Sequence, residues 1–171
     1  MKEDRVDRKG GKFLTFFLGE EEYGLEILKV QEINGMMPVT RVPRVPDYVR
    51  GVINLRGKII PVIDLRLKFG MDPVGETEET CIIVVHSGGV QTGIIVDRVS
   101  EVIDISGDEI EEAPSFGVDI DTDYILGMAK GDGRVKILLD IDKILASHQK
   151  IDIQPLISNK DEEVRNAGDS K

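Results

Sequence analysis

The sequence predicts an all-β protein built from two small barrels, and three observations support this prediction. Short runs rich in β-branched residues alternate with turn residues, and long amphipathic helical stretches are absent. The stretch 51–65 has the pattern of two strands joined by a tight turn. The second half of the chain repeats the outline of the first. Two small barrels in one chain should meet along a groove, which is a natural place for a partner to bind.

The stretch 51–65 contains the clearest pair of predicted strands. β-branched residues dominate both arms, as a half-buried pleated surface favours, and Gly57 in the turn between them is free to adopt a positive φ. Pro61 has no N–H group, so its strand must lie at an edge of a sheet or must turn that position away from a neighbouring strand. Asn54 and Arg56 are polar in this apolar frame. Arg56 is either a solvated turn residue or a residue with a binding role.

An internal repeat relates the two halves of the chain. Gly127 follows Gly51 by 76 residues, and Asp140 follows Asp64 by the same 76 residues. These two pairs begin and end runs of the same outline. The predicted organisation is a disordered tail (1–12), a first barrel unit (about 13–70), an acidic linker (71–80), a second barrel unit (about 81–147) and a C-terminal tail (148–171).

Turn residues and prolines set the boundaries of the predicted elements. Asn34-Gly35 and Gly88-Gly89 are turn signals, and three prolines make 36–46 an extended connector rather than a helix. A single helical turn could begin at Pro46, and 106–112 is predicted to be a polar connector. Strands are predicted at 13–18, 23–28, 30–33, 52–55, 59–63, 81–86, 90–96, 99–105, 124–129 and 135–141, and short helices at 65–69 and 142–146.

Composition and charge restrict the classes of partner and compartment. The 171 residues carry a net charge of −10, and the stretch 71–147 carries five basic against seventeen acidic residues. This balance argues against binding to nucleic acid or to an anionic membrane, since phosphate contacts need dense Lys and Arg. The single cysteine, Cys81, excludes an internal disulfide and fits a reducing compartment. With no apolar leader and no apolar run of membrane-spanning length, we expect a soluble cytoplasmic protein without direct membrane insertion.

Motifs for catalysis or metal binding are not evident in the sequence. The stretch 51–58 departs from the spacing of a phosphate loop, and 119–130 has Tyr124 and Lys130 where a calcium loop needs glycine and glutamate. Neither of the two histidines has neighbours at a recognised metal-ligand spacing. An enzyme needs convergent titratable groups. We therefore expect a binding module with no catalytic residue, no metal and no cofactor.

Several motifs resemble those of the CheW family, the adaptors that couple chemoreceptors to the histidine kinase CheA. They are Tyr-Gly-Leu-Glu-Ile-Leu-Lys-Val-Gln-Glu-Ile at 23–33, Asn-Leu-Arg-Gly at 54–57 and Pro-Val-Ile-Asp-Leu at 61–65, together with the strand at 13–18. The resemblance covers about 13–147 and makes that range a single domain. It implies two five-stranded, SH3-like barrels that partly intertwine, with no catalytic activity.

The resemblance also implies partners and a site. The partners would be the regulatory barrel domain of CheA and the cytoplasmic tip of a methyl-accepting chemoreceptor, which would dock between the barrels. The protein would work in the cytoplasm, associated with membrane receptor arrays. The residues carried over as partner-binding are Val30, Glu32, Ile33, Gly51, Asn54, Arg56 and Gly57.

The sequence leaves four questions open. Gly51 and Gly57 could be needed for backbone geometry rather than for partner binding. Arg56, with its five-donor fork, could hold a carboxylate of the receptor or could hold Glu32 within the adaptor itself. A scaffold of the same fold could serve a kinase pathway outside chemotaxis. A barrel that binds a small molecule or a metal, as a sensor or an enzyme, is the alternative from another class.

Overall fold

The computed structural model describes residues 10–114, 123–131 and 133–148. Strands dominate these residues, and the helices are short. The strands are β1 (Gly11–Leu18), β2 (Glu21–Glu26), β3 (Val30–Gly35), β4 (Val49–Leu55), β5 (Lys58–Asp64), β6 (Cys81–Ser87), β7 (Val90–Val96), β8 (Arg98–Ile105), β9 (Ile110–Glu111), β10 (Ile125–Gly131) and β11 (Arg134–Leu139). The α-helices are α1 (Leu65–Lys68) and α2 (Ile141–His148), and single 3₁₀ turns lie at Ile27–Lys29 and Gly107–Glu109.

The strands form two sheets that interleave the two halves of the sequence. One sheet has the order β8-β1-β2-β11-β10-β9, and the other has the order β3-β6-β7-β5-β4. Each sheet therefore takes strands from both repeats, and the intertwined all-β fold is confirmed. The first sheet has six strands rather than the predicted five, because the two-residue strand β9 adds to its edge. Neither sheet is built from one of the predicted units, 13–70 or 81–147, alone. The division into these units stays a prediction, and it describes the repeat in the sequence.

Two parallel pairings join the halves within the sheets. Strand β2 pairs with β11 in parallel, with Tyr23 opposite Ile137, and β5 pairs with β7 in parallel, with Ile63 opposite Ile94. The other named pairings are antiparallel. Each of these four strands therefore lies inside its sheet, with a neighbouring strand on both sides.

The 76-residue repeat predicted from the sequence recurs in the hydrogen bonds. The backbone N–H of Asp64 donates to the Tyr48 carbonyl at 2.6 Å, and the N–H of Asp140 donates to the Tyr124 carbonyl at 2.7 Å. Both aspartates also cap a closing helix, because each carboxylate accepts from a backbone N–H three residues further on, at 3.3 Å and 3.1 Å. Equivalent residues of the two halves thus make the same hydrogen bonds.

Three apolar clusters form the core. One lies inside each barrel, represented by Ile53 and Val84 in one and by Phe13 and Leu138 in the other. The largest includes Phe16, Ile83, Ile94 and Leu139 and packs the two sheets against each other. The contact between the barrels is therefore a filled apolar layer. Ile27, Val30 and Val99 are partly buried at its margin.

Some local predictions were wrong. The second strand ends at Glu26 rather than Leu28, because residues 27–29 form a 3₁₀ turn. The segment beginning at Pro46 is a reverse turn, closed by the Val49 N–H on the Pro46 carbonyl at 2.9 Å, and β4 starts there. The predicted connector 106–112 contains the short strand β9.

Pro61 lies at a position that needs no N–H group, which is the second of the two arrangements predicted for it. Its strand lies inside the sheet, between β4 and β7. Pro61 lies opposite Val52, whose own N–H and carbonyl bond to Thr40 at 2.9 Å instead. The parallel pairing with β7 begins one residue later, at Val62. The missing N–H therefore removes no hydrogen bond from the sheet.

Within the described residues, none of the helices has the length and apolar character needed to cross a membrane.

Candidate functional site

The seven predicted partner-binding residues all lie on the five-stranded sheet, at its two edges. Val30, Glu32 and Ile33 belong to β3, which is one edge strand. The other four belong to β4, the opposite edge strand, and to the turn that follows it. The structure brings these two edges together through a contact between Glu32 and Arg56. One continuous surface therefore combines segments that are more than twenty residues apart in sequence.

The β4–β5 turn fixes the position of Arg56. Leu55 lies opposite Lys58, so Arg56 and Gly57 form a two-residue loop, with φ of 52° and 88°. Two successive positive φ values characterise the type I′ turn, whose twist matches that of the flanking strands. The side-chain oxygen of Asn54 accepts from the Gly57 N–H at 2.7 Å. Asn54 and Gly57 thus hold the turn in shape, and the predicted turn is confirmed.

Arg56 holds Glu32 with both arms of its guanidinium. Nη1 donates to Oε2 at 3.0 Å, and Nη2 donates to Oε1. The Asn34 amide donates to the same Oε2 at 2.8 Å. These hydrogen bonds, the arginine's first, lower the pKa of Glu32, and the same pair raises the pKa of Arg56. Of the two roles open to Arg56, the structure therefore contains the internal one.

Two exposed apolar side chains lie close to this ion pair in sequence. Ile33 on β3 is 44% exposed, and Ile59 at the start of β5 is 70% exposed. Ile59 lies directly opposite Asn54 across the β4–β5 ladder. The side chain of Arg56 is 66% exposed and that of Glu32 only 22%, so the arginine forms the outer surface of the pair. Two exposed isoleucines on β3 and β5 thus accompany a guanidinium whose position is fixed by Glu32. We call these four residues the Arg56 surface.

Ile59 was missed by the sequence prediction, because its exposure follows only when the core-facing residues of its strand are known. Its arm of the hairpin is apolar throughout, and the structure buries Ile60 and Val62 in the barrel core. Because successive side chains of a strand point to opposite faces, Ile59 must then face outward. Alternation counted from the core residues could have identified it.

Gly51 meets a requirement of the backbone geometry at its position. A Cβ at this position would lie 2.0 Å from the carbonyl oxygen of Thr40, and the residue has φ of 140°. Thr40 exchanges two backbone hydrogen bonds with Val52, so the connector after β3 runs closely along β4. Only glycine permits this approach.

Three arginines of the basic first half are neutralised internally. Besides Arg56, Arg50 donates to Asp64 at 3.0 Å, and Arg66 donates to Asp97 at 2.9 Å. The Asp64 side chain is only 9% exposed, so its pair with Arg50 is largely internal. The surplus of basic residues in the first half therefore does not produce a broad positive surface at these positions.

Cysteine, histidine and carboxylate side chains are the groups that could bind a metal ion or take part in catalysis. Within those ranges, no three His, Cys, Asp or Glu side chains are grouped to hold a metal ion. Cys81 is buried, and desolvation raises the pKa of its thiol. His86 is exposed near the end of β6. The side chain of His148 and most of the acidic stretch before Tyr124 lie outside the described residues.

Comparison with known proteins gives consistent matches. A family model described as the CheW-like domain matches residues 12–149. The chemotaxis protein CheW of Klebsiella aerogenes is 47% identical over 140 residues, covering 82% of this chain and 84% of that protein. The chemotaxis protein CheW of Bacillus subtilis is 37% identical over 139 residues, covering 81% and 88%.

A solved structure shows the same fold. The crystal structure of the scaffolding protein TtCheW from Thermoanaerobacter tengcongensis matches with a TM-score of 0.73 and 41% identity, covering 79% of this chain and 92% of that chain. Its likeness supports the assignment of the two sheets to SH3-like barrels. The family match includes all seven predicted site residues. This chain therefore belongs to the CheW-like domain family.

Proposed function

We propose that this protein is a non-catalytic chemotaxis adaptor that couples chemoreceptor signalling tips to the histidine kinase CheA. The observation that carries this proposal is the Arg56 surface, in which the Glu32–Arg56 ion pair unites both edges of one barrel and exposed isoleucines lie on β3 and β5. It occurs in a chain 47% identical to a chemotaxis protein CheW. The proposed partners are the regulatory barrel domain of CheA and the cytoplasmic receptor tip.

The composition of the Arg56 surface suits protein binding. Arginine is enriched among residues that dominate interface energies, and apolar side chains that are packed in the complex supply the desolvated centre. The internal pairing of Arg56 fixes its rotamer before any partner arrives, which reduces the entropy lost on binding. Val30, partly buried at the margin of the central cluster, extends the apolar surface toward the contact between the barrels.

The proposed site of action is the cytoplasmic face of a receptor array. The protein would reach the membrane through its receptor partner rather than by insertion. It would contribute to building the array by binding the kinase and the receptor together.

A reconstitution tests this function. Receptor signalling fragments on vesicles and CheA are assayed for kinase autophosphorylation with and without the full chain. The adaptor role predicts that kinase activity becomes receptor-dependent only when the chain is present. Kinase activity that does not change on addition of the chain, although both partners are active with another adaptor, would contradict the proposal.

A further inference from the structure

A cavity lies outside the residues of the Arg56 surface. Its volume is about 390 Å³, which is within the usual range for small-molecule sites. The cavity is bordered by β2, β11, α1 and the start of β10, and it shares no lining residue with the Arg56 surface. Its walls include Tyr23, Lys68, Phe69, Met71, Tyr124 and Ile137.

Aromatic rings form a continuous wall of this cavity. The ring centroids of Tyr23 and Phe69 lie 5.9 Å apart, and those of Phe69 and Tyr124 lie 6.4 Å apart, both in tilted arrangements. Met71 adds a flexible and polarizable surface beside them. Such a wall favours the apolar body of a ligand, either aliphatic or aromatic.

Lys68 is the only charged residue among the described residues that line the cavity. Its Nζ lies 4.2 Å from the ring centroid of Tyr48 and 5.9 Å from that of Tyr124. These tyrosines are equivalent positions of the 76-residue repeat, so the ammonium lies where the two halves of the chain meet. Within the described ranges, no carboxylate forms an ion pair with Lys68, and desolvation lowers the pKa of its ammonium.

The contacts of the Lys68 ammonium therefore offset only part of the free energy that it loses on leaving water. Cation–π contacts offset part of the desolvation cost of a half-buried cation. A carboxylate placed on Nζ would supply the missing opposite charge, and a partly desolvated environment would strengthen that contact. An uncharged molecule of the same shape would gain only the apolar contacts.

We propose that this cavity binds a small organic carboxylate with an apolar body, its carboxylate on Lys68 Nζ and its body against the Tyr23–Phe69–Tyr124 wall. The residues that line this cavity differ from those of the Arg56 surface. Because the wall includes residues from both repeats, an occupant would contact both halves of the chain at once. Binding to the folded state alone would raise the unfolding temperature, by an amount that grows with the logarithm of the ligand concentration once this exceeds Kd.

The test uses two probes of matched shape, 3-phenylpropionate and 3-phenylpropan-1-ol, titrated into the full chain by calorimetry and by NMR chemical shifts. We expect the carboxylate to bind at least about tenfold more tightly than the alcohol, a difference of about 1.4 kcal/mol. Lys68→Met keeps the apolar stem but removes the charge, and it should bring the two affinities together. Lys58→Met, on the exposed β4–β5 hairpin, is the matched control and should behave as wild type.

Two further measurements test the proposal even if Lys68→Met does not fold. Lys68→Arg retains the charge and should keep the preference for the carboxylate. In wild type, carboxylate binding should raise the pKa of the Lys68 ammonium, followed through its side-chain nitrogen by NMR. Equal affinities for the two probes, saturation by neither probe, or a preference that survives in folded Lys68→Met would each overturn the proposal.

Discussion

Arg56 contacts both carboxylate oxygens of Glu32 and so joins the two edge strands of the five-stranded barrel. The two residues are 24 positions apart in sequence, one on β3 and one in the β4–β5 turn. The connector between them runs along β4, where Thr40 bonds to Val52. We therefore expect Arg56 to affect partner binding through its contact with Glu32.

A double-mutant cycle should show this dependence. Arg56→Met and Glu32→Gln each remove the ion pair, and each should weaken binding of the CheA regulatory domain by about tenfold. The double variant should bind no more weakly than either single variant, because both changes remove the same interaction. Affinities are measured by calorimetry on variants shown to be folded. Losses that add up in the double variant would mean that Arg56 contacts the partner directly.

The lowered pKa of Glu32 predicts a pH-dependent contribution to stability. A carboxylate whose pKa is lower in the folded than in the unfolded chain stabilises the fold above its unfolded pKa, near 4.5. That contribution is lost as the pH falls through the folded pKa. Urea unfolding should therefore show wild type more stable than Glu32→Gln at pH 7 and a smaller difference at pH 3.5.

The matched control for this measurement is Glu78→Gln, a change at an exposed position of the connector 71–80. Its stability difference from wild type should be small and should vary little with pH. A Glu32→Gln difference that stays constant from pH 7 to pH 3.5 would argue that the ion pair does not contribute to folding.

Gly51→Ala should destabilise the fold. The added Cβ would meet the Thr40 carbonyl oxygen at 2.0 Å, and φ at this position is one that L-residues rarely adopt. Backbone atoms must shift, and we expect a loss of roughly 2–4 kcal/mol in the free energy of unfolding. Gly75→Ala is the control, since no atom lies within 4 Å of its added Cβ and it should change stability by less than about 0.5 kcal/mol. Equal stabilities of the two variants would contradict the close approach of the connector.

Ile59→Asp should weaken partner binding without unfolding the protein, because the side chain is 70% exposed. Val135 follows Ile59 by 76 residues and is 45% exposed on the other sheet, which makes Val135→Asp a control of matched chemistry. We expect a loss of tenfold or more in affinity for the CheA regulatory domain only with Ile59→Asp, at about the level of a central interface residue. The two variants are compared by calorimetric titration; similar losses in both would show that charge alone explains the effect.

Local sequence patterns were sufficient to predict where the strands lie, but not which strands pair with each other. The β-branched runs and the turn at Gly57 are encoded within a few residues, and the repeat that relates Asp64 to Asp140 is visible directly. The pairing of β1 with β8 and of β3 with β6 depends on contacts between distant segments, and alternation of apolar residues fits other pairings equally well. The interleaving was therefore expected only from the family resemblance.

The site was predicted as a set of residues, and their arrangement needed the structure. Glu32 and Arg56 were both identified, but sequence alone left their contact as one of two options. Gly51 was carried over as partner-binding, yet the space for its side chain is occupied by Thr40. Ile59 was overlooked because its arm of the hairpin is apolar throughout, so exposure could be assigned only after the core-facing positions were known.

The most direct test of the adaptor proposal is a calorimetric titration of two partners, the CheA regulatory domain and a receptor signalling-tip fragment, into wild type and two variants. Ile33→Asp changes the Arg56 surface, while Val102→Asp changes a similarly exposed valine on β8, an edge strand of the other sheet. With all three proteins shown to be folded by circular dichroism, we expect wild type and Val102→Asp to bind both partners and Ile33→Asp to lose binding to at least one. Full binding of both partners by Ile33→Asp, or binding of neither partner by folded wild type, would contradict it.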